Sequence, residues 1–444
     1  MLPRKIHDID EDFIENFSKS RKEPGWMLKT RVKAWKEFIN KTFPTMREEE
    51  WRYTDIKKLN INDLKSLIGK ENISKDVKLL EDTEKQIDLT SGIIDTCDME
   101  MVNRNVEKEI IELGVIFNDL SEELNTASKI VKDNFMTTIK DNENKFTALH
   151  SAIWNQGIIL YIPPNVHIKN PFVYNIQTNT PESAAFTHIL IVMGDNSSAT
   201  FLDRSTSIKQ ETGFHSGFTE IILGRGSHLK YSSLQEWDTN MYDISIKRIK
   251  TERDSNADIK IATLGGKMSR LEIEGFMEAE GSNCNIQCIF FGDQDRHIDV
   301  LTNSHHYAPH TSCDITVKGV LRDTASSIAQ GMIKISKDGK QTNSKLTQNT
   351  LLLSPTARAN AKPDLEIDQN EVIAAHSATV SRVDRDQLFY LMSRGLEEKD
   401  AETLIVDGFY EGMIKQITIE EVKNRVRKVI SERVARQNKI DKNM

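Results

Sequence analysis

The stretch S-N-C-N-I-Q, residues 282–287, shows the pattern that decides the fold. Small polar residues that favour a turn precede residues of the kind found in short strands. Related segments recur, and their second residues are Ser197, Ser227, Asn256, Asn283, Ser312 and Asn343, at spacings of 30, 29, 27, 29 and 31. A period of about thirty residues predicts a β-solenoid, in which each coil stacks on its neighbours.

A seventh segment of this kind ends the repetitive region. One step of 32 residues leads to A-A-H-S-A-T (374–379), which makes His376 the third residue of the last signature. We therefore expect His376 to lie in the coil that closes the solenoid. A β-sandwich stays open as an alternative, because sandwiches also space short strands by about 8–12 residues.

The regions on both sides of the repeats have helical spacing. Leu28, Val32, Trp35 and Phe38 recur at intervals of 4, 3 and 3, which predicts an amphipathic helix within 12–40. Thr418 and Glu421 fit a T-x-x-E capping box at the start of a C-terminal helix. We predict a mainly β protein with three regions, which are an α-rich N-terminal domain (1–150), a β-helix core (151–385) and a helical C-terminal domain (386–444).

The composition argues against several classes of function. A formal net charge of -8 gives no general attraction to nucleic acid or to an anionic membrane. The first residues lack the apolar core of a signal peptide, and no apolar run approaches the roughly 18 residues of a membrane span. Four cysteines in 444 residues are too few for a disulfide framework. We expect a soluble cytoplasmic protein that binds neither nucleic acid nor membranes.

Three cysteines lie within the repeats. Cys284 and Cys288 share one face of a strand, because side chains alternate with a period of two. A structural zinc site would need a second closely spaced pair, and none follows. Cys284 and Cys313 occupy the same position of neighbouring signatures, so we expect them to stack as small apolar filler. They could act as thiolate ligands only if they faced outward.

The histidines give a weak signal for metal binding. His305, His306 and His310 follow His297, but a strand would direct His305 and His306 to opposite faces. We therefore expect exposed strand and turn histidines here. For His376, residue chemistry alone favours a structural hydrogen-bonding role. The sequence also has no Walker A loop, no G-x-G-x-x-G between strand and helix and no G-x-S-x-G elbow, which argues against a self-contained NTPase or hydrolase.

Three segments resemble the SufB and SufD family, the scaffold subunits of the Suf iron-sulfur cluster assembly system. They are "KFTALHSAIWNQGIILYIPPNVHIKNP" (145–171), "DVLTNSHHYAPHTSCDITVKGVLRDTASSIAQG" (299–331) and the run 331–409, which includes "IAAHSATVSRVDRDQLFYLMSRGL" (373–396). They occur in the family's order, and the resemblance covers roughly residues 110–415. It implies a right-handed parallel β-helix with helical domains at its ends, which agrees with the period found above.

The resemblance also implies partners. In the family, the ATPase SufC binds the C-terminal helical segment, here "LFYLMSRGLEEKDAETLIVDGF" (388–409). A transient iron-sulfur cluster forms at a subunit interface, and ATP enters only through SufC, so the chain itself is expected to be a non-catalytic scaffold. A flavin in the assembled complex is left open. The candidate SufC contacts in this segment are Phe389, Tyr390, Arg394, Gly395, Leu404 and Phe409.

The two family members imply different roles for His376. "EPGWMLKTRVKAW" (23–35) looks like SufB, whereas "REEEWRYTDIKKL" (47–59) looks like SufD. SufB carries a cysteine about 28 residues before the histidine and a glutamate after it, where this chain has Gln348 and Ser377. SufD often carries a cysteine two residues before the histidine, where this chain has Ala374. The missing thiolates favour a SufD-like role, with His376 as the candidate cluster-assembly and metal-binding residue beside a SufB-like partner.

Two other hypotheses stay open. One is a SufB-like or self-sufficient homodimeric scaffold, which pairs with a second copy of itself and needs a thiolate from another position. The other, more remote, is a β-helix carbohydrate-active enzyme. That reaction would require carboxylates clustered on one face of the solenoid, and the scattered Asp and Glu residues do not show this pattern.

Overall fold

The computed structural model of the protein describes residues 5–57, 59–66, 89–126, 128–208 and 212–436. It is mainly β, with 43% of its residues in strands, and its core is a parallel β-solenoid of about eight turns with helices at both ends. The β-solenoid predicted from the thirty-residue period is confirmed, and the sandwich alternative is wrong. Residues 67–88 of the predicted N-terminal domain lie outside the described ranges.

The solenoid is built from two sheets. The strands, in chain order, are β1 (Lys65–Ser66), β2 (Gly92–Cys97), β3 (Glu100–Val106), β4 (Ile116–Asp119), β5 (Gln156–Ile162), β6 (Phe172–Thr178), β7 (Ser183–Met193), β8 (Ser198–Ser207), β9 (Gly213–Leu223), β10 (His228–Glu236), β11 (Met241–Thr251), β12 (Asn256–Thr263), β13 (Met268–Met277), β14 (Asn283–Gly292), β15 (His297–His306), β16 (Ser312–Leu321), β17 (Ser326–Ile335), β18 (Asn343–Leu352), β19 (Arg358–Ile367) and β20 (Ile373–Arg382). Sheet A has the order β19-β17-β15-β13-β11-β9-β7-β5-β4, with β1 beside β7, and sheet B has the order β20-β18-β16-β14-β12-β10-β8-β6-β2-β3.

Helices lie before and after this core. They are α1 (Glu11–Ser20), α2 (Gly25–Asn40), α3 (Lys108–Glu112), α4 (Leu120–Thr126), α5 (Ser128–Asn134), α6 (Lys145–Ile153), α7 (Arg385–Ser393), α8 (Glu398–Ile414) and α9 (Glu420–Val434), with short 3-10 helices at Ile6–Asp8, Glu49–Trp51 and Ile61–Asp63. Among the described helices, none combines the length and apolar character needed to cross a membrane.

Strands begin earlier than residue 151. β2 pairs in parallel with β6, and β4 pairs in antiparallel fashion with β5, so both extend the two sheets at their N-terminal ends. Buried side chains of β2 and β4, such as Ile94 and Phe117, join the interior apolar cluster. The segment from Gly92 to Asp119 therefore contributes to the solenoid, while α1, α2 and α6 pack outside it.

The register of sheet B corrects part of the predicted alignment. Four of the aligned positions pair as neighbours, in agreement with the prediction: Asn256, Asn283, Ser312 and Asn343. Asn256, however, pairs with His228 and His228 with Ser198, so the predicted Ser227 and Ser197 are one residue too early. Ser197 and Ser227 lie in the preceding turns, where each hydroxyl donates to a carbonyl three residues back. Both positions hold small polar residues, so the sequence pattern could not separate them.

The N-terminal helices cover the outer face of sheet A. Arg31 of α2 pairs with Glu23 at 2.7 Å, and its Nη1 donates to the Trp154 carbonyl at 2.9 Å. Both charged side chains are buried, so the pair fixes α2 against the end of α6. The predicted helix within 12–40 is two helices, because the chain turns at Lys22, which has φ 53°, and at Pro24.

Residues 45–57, here called the strap, continue across sheet A toward its C-terminal end. The Trp51 ring packs on Phe146 of α6, with ring centroids 5.6 Å apart. Thr54 Oγ1 donates to Asp299 of β15 at 2.6 Å, and Lys362 of β19 pairs with Glu49 at 2.5 Å. The strap therefore joins the N-terminal helices to the last coil.

The C-terminal helices cover the outer face of sheet B. Val406 and Tyr410 of α8 and Val426 of α9 pack against apolar side chains of successive strands. The Tyr410 hydroxyl donates to the Phe290 carbonyl at 2.5 Å. The predicted capping box is wrong, because α9 begins at Glu420 and its N-cap is Ile419, which makes no side-chain cap.

Candidate functional site

The last coil contains His376 at an open end of the solenoid. β19 and β20 are the final strands of sheets A and B. Asn343 pairs with Ile373, so His376 is in register with Leu346, two positions from the predicted alignment. A shift of two residues keeps a side chain on the same face of the strand. His376 therefore still belongs to the inward column, the row of side chains in register across neighbouring strands that point into the solenoid. The prediction erred because A-A-H-S resembles the turn signature although these residues lie within the strand.

Burial changes abruptly along that inward column. Ile286, Ile315 and Leu346 follow one another in neighbouring strands and are fully buried. His376 continues the same column and is exposed. Across the described ranges its imidazole makes no hydrogen bond, so the structural hydrogen-bonding role expected from residue chemistry has no partner there. The geometry leaves the ring nitrogens accessible to a ligand.

Gln348 lies one strand below and belongs to the same inward face. It pairs with Ala378, which is two residues after His376. Its side chain is 1% exposed, and within the described residues neither its amide nitrogen nor its amide oxygen has a partner. Ala374 pairs with Ser344 and is half-buried, whereas Ser377 is exposed. The structure therefore brings His376 and Gln348 together at the open end.

The cysteines are all remote from solvent. Cys97, Cys284, Cys288 and Cys313 are all buried. Cys284 and Cys313 follow one another inside neighbouring coils, as predicted, and the hydrogen bond that Cys313 donates to Cys284, together with burial, raises the pKa of Cys313 well above its usual value. Burial alone raises the pKa of Cys288 to about 12. The Cys288 and Cys313 thiols therefore stay protonated at neutral pH. None of the three cysteines in the repeats faces outward.

The expectation that the four other histidines are exposed is correct for His310 only, because the other three lie in β15, where neighbouring strands cover them. His306 is fully buried and bonds Thr311 Oγ1 at 2.8 Å, whereas His305 on the opposite face lies 2.7 Å from Glu274. His297 bonds Ser326 at 2.9 Å, and His310 lies in a turn with φ 57°. Nowhere in the described ranges do three or more His, Cys, Asp or Glu side chains form a group able to hold a metal ion.

The predicted ATPase contacts form a mostly exposed surface on α7 and α8. Phe389 is 73% exposed and Leu404 52% exposed, and Tyr390 is exposed with the Arg394 guanidinium 5.2 Å from its ring centroid. Gly395 directly follows the C-cap of α7 and has φ 96°, a conformation that glycine adopts readily. We call the exposed side chains Phe389, Tyr390, Met392, Leu396 and Leu404 the helical apolar surface.

Phe409 differs from the other predicted contacts. It is half-buried and packs against the cluster between α8 and sheet B. The Lys318 ammonium lies 4.9 Å from its ring centroid and donates to the Phe409 carbonyl at 2.6 Å. Phe409 therefore holds α8 on the solenoid and is less available to a partner than Phe389 or Leu404.

A polar chamber inside the earlier coils was not singled out from the sequence. Lys247 Nζ donates to the Tyr231 hydroxyl at 2.7 Å, and Tyr231 donates to Asp203, whose second oxygen accepts from Ser233 at 2.7 Å. Nearby, His215 Nδ1 lies 2.7 Å from Asp243. The cavity beside these groups has a volume of about 30 Å³, room for roughly two waters.

The sequence does not predict the chamber, because polar residues occur on both faces of these strands. Inward serines and acids cannot be told from outward ones until the register is known. Burial, and then the Asp203 carboxylate, raise the pKa of Tyr231 well above its usual value, so its hydroxyl remains a donor. The useful signal would have been Lys247, because the matching position of the next coil carries the apolar Ile273.

Comparison with known proteins identifies the class of this solenoid scaffold. The family described as "SUF system FeS cluster assembly, SufBD core domain" matches residues 175–409, and "SufBD protein N-terminal region" matches residues 9–173. Together these matches span the N-terminal helices, the solenoid and the start of the C-terminal helices. The chain belongs to the SufBD family of iron-sulfur cluster assembly proteins, which confirms the resemblance seen in its sequence.

Similar proteins carry the same family name. The chain is 28% identical over 430 residues to "Iron-sulfur cluster assembly SufBD family protein" from Staphylococcus haemolyticus. It is 27% identical over 430 residues to proteins of that name from Staphylococcus saprophyticus and Staphylococcus epidermidis. Each alignment covers 94% of this chain and 91% of the relative. These names do not separate a SufB role from a SufD role.

Proposed function

We propose that this chain is the SufD-like subunit of a cytoplasmic Suf assembly complex, together with a SufB-like paralogue and a SufC-like ATPase. The complex would hold a nascent iron-sulfur cluster as its cargo at the interface between two last coils. The observation that carries the proposal is the pairing of an exposed imidazole, His376, with cysteines that are all buried. The chain thus offers an iron ligand and withholds a sulfur acceptor.

The chemistry divides between the two subunits. Soft thiolates accept sulfur and bind iron, and neutral imidazole also suits iron. His376 supplies one ligand or carries a proton, and thiolates of the SufB-like partner supply the rest. A SufB-like or homodimeric scaffold would need a thiolate from this chain, and the burial of Cys284 and Cys313 speaks against that alternative.

The helical apolar surface is the proposed docking site for the ATPase. α7 begins three residues after the end of β20, so a force applied to α7 is transmitted to the strand that carries His376. ATP-driven closure of the ATPase would then strain the paired last coils and change access to the cluster. The chain itself remains a non-catalytic scaffold in this scheme, and a flavin in the assembled complex is left open.

Replacing His376 with Ala tests the cluster site. The chain should be co-expressed with its SufB-like and SufC-like partners, and iron and sulfide should be measured per assembled complex. We expect normal folding and assembly with a strong loss of both elements. His228→Ala, which changes an exposed histidine at the start of β10, is the matched control and should keep normal content. Normal content in the His376 variant would remove His376 from the site.

A charge on the helical apolar surface tests ATPase docking. The double variant Phe389→Asp and Leu404→Asp places two carboxylates where a docked partner would desolvate them. We expect a folded chain that no longer co-purifies with the SufC-like ATPase. Ile39→Asp changes an equally exposed apolar side chain on α2 and should not alter co-purification. Undiminished recovery of the ATPase with the double variant would refute this docking site.

A further inference from the structure

We propose that Gln348 is a positioning residue of the cluster site, and that its carboxamide hydrogen-bonds a sulfide or thiolate sulfur held beside His376. This inference rests on the proposed function and adds to it a second polar group from the same chain. It starts from one observation, which is that Gln348 is buried in the inward face while its carboxamide lacks partners among the described residues.

Other buried glutamines in the described chain are hydrogen-bonded. Gln235 donates to Ser269 Oγ at 2.9 Å and accepts from the Gly265 amide at 2.8 Å. Gln330 donates to the Glu50 carbonyl at 3.2 Å. A buried amide that lacks partners carries a desolvation penalty, so an unpaired one calls for a specific cause. Gln348 therefore differs from Gln235 and Gln330 in its surroundings, which offer its carboxamide no partner among the described residues.

The position of Gln348 connects this penalty to the open end. Its column continues downward through Val317 to Cys288, which are buried, and upward to Ala378, which is exposed. An apolar side chain would suit the contacts below. Above it, only the methyl group of Ala378 separates the carboxamide from the open end of the coil.

His376 is the diagonal neighbour of Gln348 across the last strand pair. Diagonal side chains on one face of a sheet are separated by about 7–8 Å, a gap that one sulfur-sized ligand can bridge. The amide N–H groups of glutamine can donate to sulfur, and hydrogen bonds to cluster sulfurs set the properties of iron-sulfur centres. His376 would thus bind iron while Gln348 orients the neighbouring sulfur.

The test replaces the carboxamide and keeps its bulk. Gln348→Leu removes every hydrogen-bonding atom, so the isolated chain should unfold at the same temperature as wild type or a higher one. Iron and sulfide per assembled complex should fall about tenfold or more, the range seen when outer hydrogen-bond partners of metal sites are removed. Gln330→Leu is the matched control, expected to lower the unfolding temperature and to leave the iron and sulfide content per complex unchanged.

A second variant covers Gln348 without changing it. Ala378 is exposed, so Ala378→Leu should fold normally and place a bulky side chain over the carboxamide. We expect reduced iron and sulfide in complexes that still assemble. Normal content in both variants would overturn the role of Gln348. If His376→Ala alone lowers the content, the proposed function stands without Gln348, and if none of the three changes lowers it, the proposed function fails as well.

Discussion

The coil of β14 and β15 and the coil of β19 and β20 share one backbone pattern and differ in burial. Ile286 in β14 and His376 in β20 occupy the same inward column, yet the first is fully buried and the second exposed. One neighbouring strand is enough for a strand to form a parallel ladder. An inward side chain, by contrast, is buried only when a coil lies on each side of it. Backbone pairing therefore extends one coil farther than the closed core.

The closed coils determine the stability of the fold, whereas the last coil is available to partners and ligands. The closed coils can be altered only at the expense of packing, because their interior is filled by side chains from both sheets. The last coil keeps Leu365, Ile367 and Val380 more than a third exposed although it is fully paired with the coil below. Changes at the last coil should therefore affect partners and ligands more than folding.

The largest difference between the two regions should come from their ion pairs. Arg270 and Asp299 pair on the closed part of sheet A, and both side chains are buried. Arg270→Met leaves the buried Asp299 carboxylate without a cation to neutralise it and should lower the free energy of unfolding by about 3–5 kcal/mol. Urea unfolding of the purified chain measures this loss.

The matched pair on the last coil is Lys334 with Glu366, at 2.7 Å across β17 and β19. Both side chains are more than a third exposed. Lys334→Met should leave the unfolding curve essentially unchanged, since exposed pairs contribute little. Equal losses in the two variants would mean that the last coil is as closed as the others.

A second comparison uses one inward column. Leu346→Ala opens a cavity beneath the last strand and should lower the free energy of unfolding by about 2–5 kcal/mol. His376→Ala, one strand farther along, should change it by no more than about 0.5 kcal/mol, as for other surface substitutions. A large loss for His376→Ala in the isolated chain would show that the imidazole is part of the core.

The closed coils should also be sensitive to acid. Burial, and then the neighbouring His305, lower the pKa of His306 from 6.5 to about 3. Below pH 6.5 the unfolded chain takes up a proton that folded His306 refuses, so stability falls as the pH drops from about 6.5 to about 3, by up to about 1.4 kcal/mol per unit. Unfolding curves at pH 7, 6 and 5 measure the slope.

His306→Leu isolates this contribution. The variant lacks the titrating imidazole, so its stability should fall less than that of wild type over the same pH interval. At pH 7 and above, the difference between the two proteins should be constant. Parallel acid slopes for the two proteins would show that His306 is not responsible.

The smallest expected effect on stability comes from a thiol at the open end. Cys288 and Ala378 belong to one inward column, and only Ala378 is exposed. Ala378→Cys should react with iodoacetamide at pH 8 in the folded chain, at one thiol per molecule. The four native cysteines should react only after unfolding, since they are buried. Rapid labelling of folded wild type would contradict the closed interior.

The sequence predicted the repeat more accurately than it predicted the position of the site. A period of about thirty residues predicted the coils, and the stacking of Cys284 on Cys313 followed from the same alignment. The alignment failed by one residue at Ser197 and Ser227 and by two at His376, because turns of slightly different length hold the same small polar residues. Local pattern reports turns and strands, while register depends on hydrogen bonds between residues about thirty positions apart.

The exposure of the last coil and the polar chamber could not be predicted for a different reason. His376 is exposed because no further coil follows β20 in the part of the chain that the structure describes, and Leu346 is buried because β20 covers it. Lys247 and Asp203 are inward because of the register they share with their neighbours. Both properties depend on how the coils stack, so no local stretch of the sequence predicts them.

The strap has a consequence for the order of events during synthesis. Glu49 and Lys362 are separated by 313 residues, so the strap leaves the ribosome long before its last partner. At about 5–20 residues per second this interval is roughly 15–60 s. In the finished protein the Arg270 guanidinium lies 4.1 Å from the centroid of the Trp51 ring. During part of this interval Arg270 has not yet been synthesised, so the Trp51 ring is not covered by it. The strap can therefore close fully only after β19, the last strand of sheet A, has been synthesised.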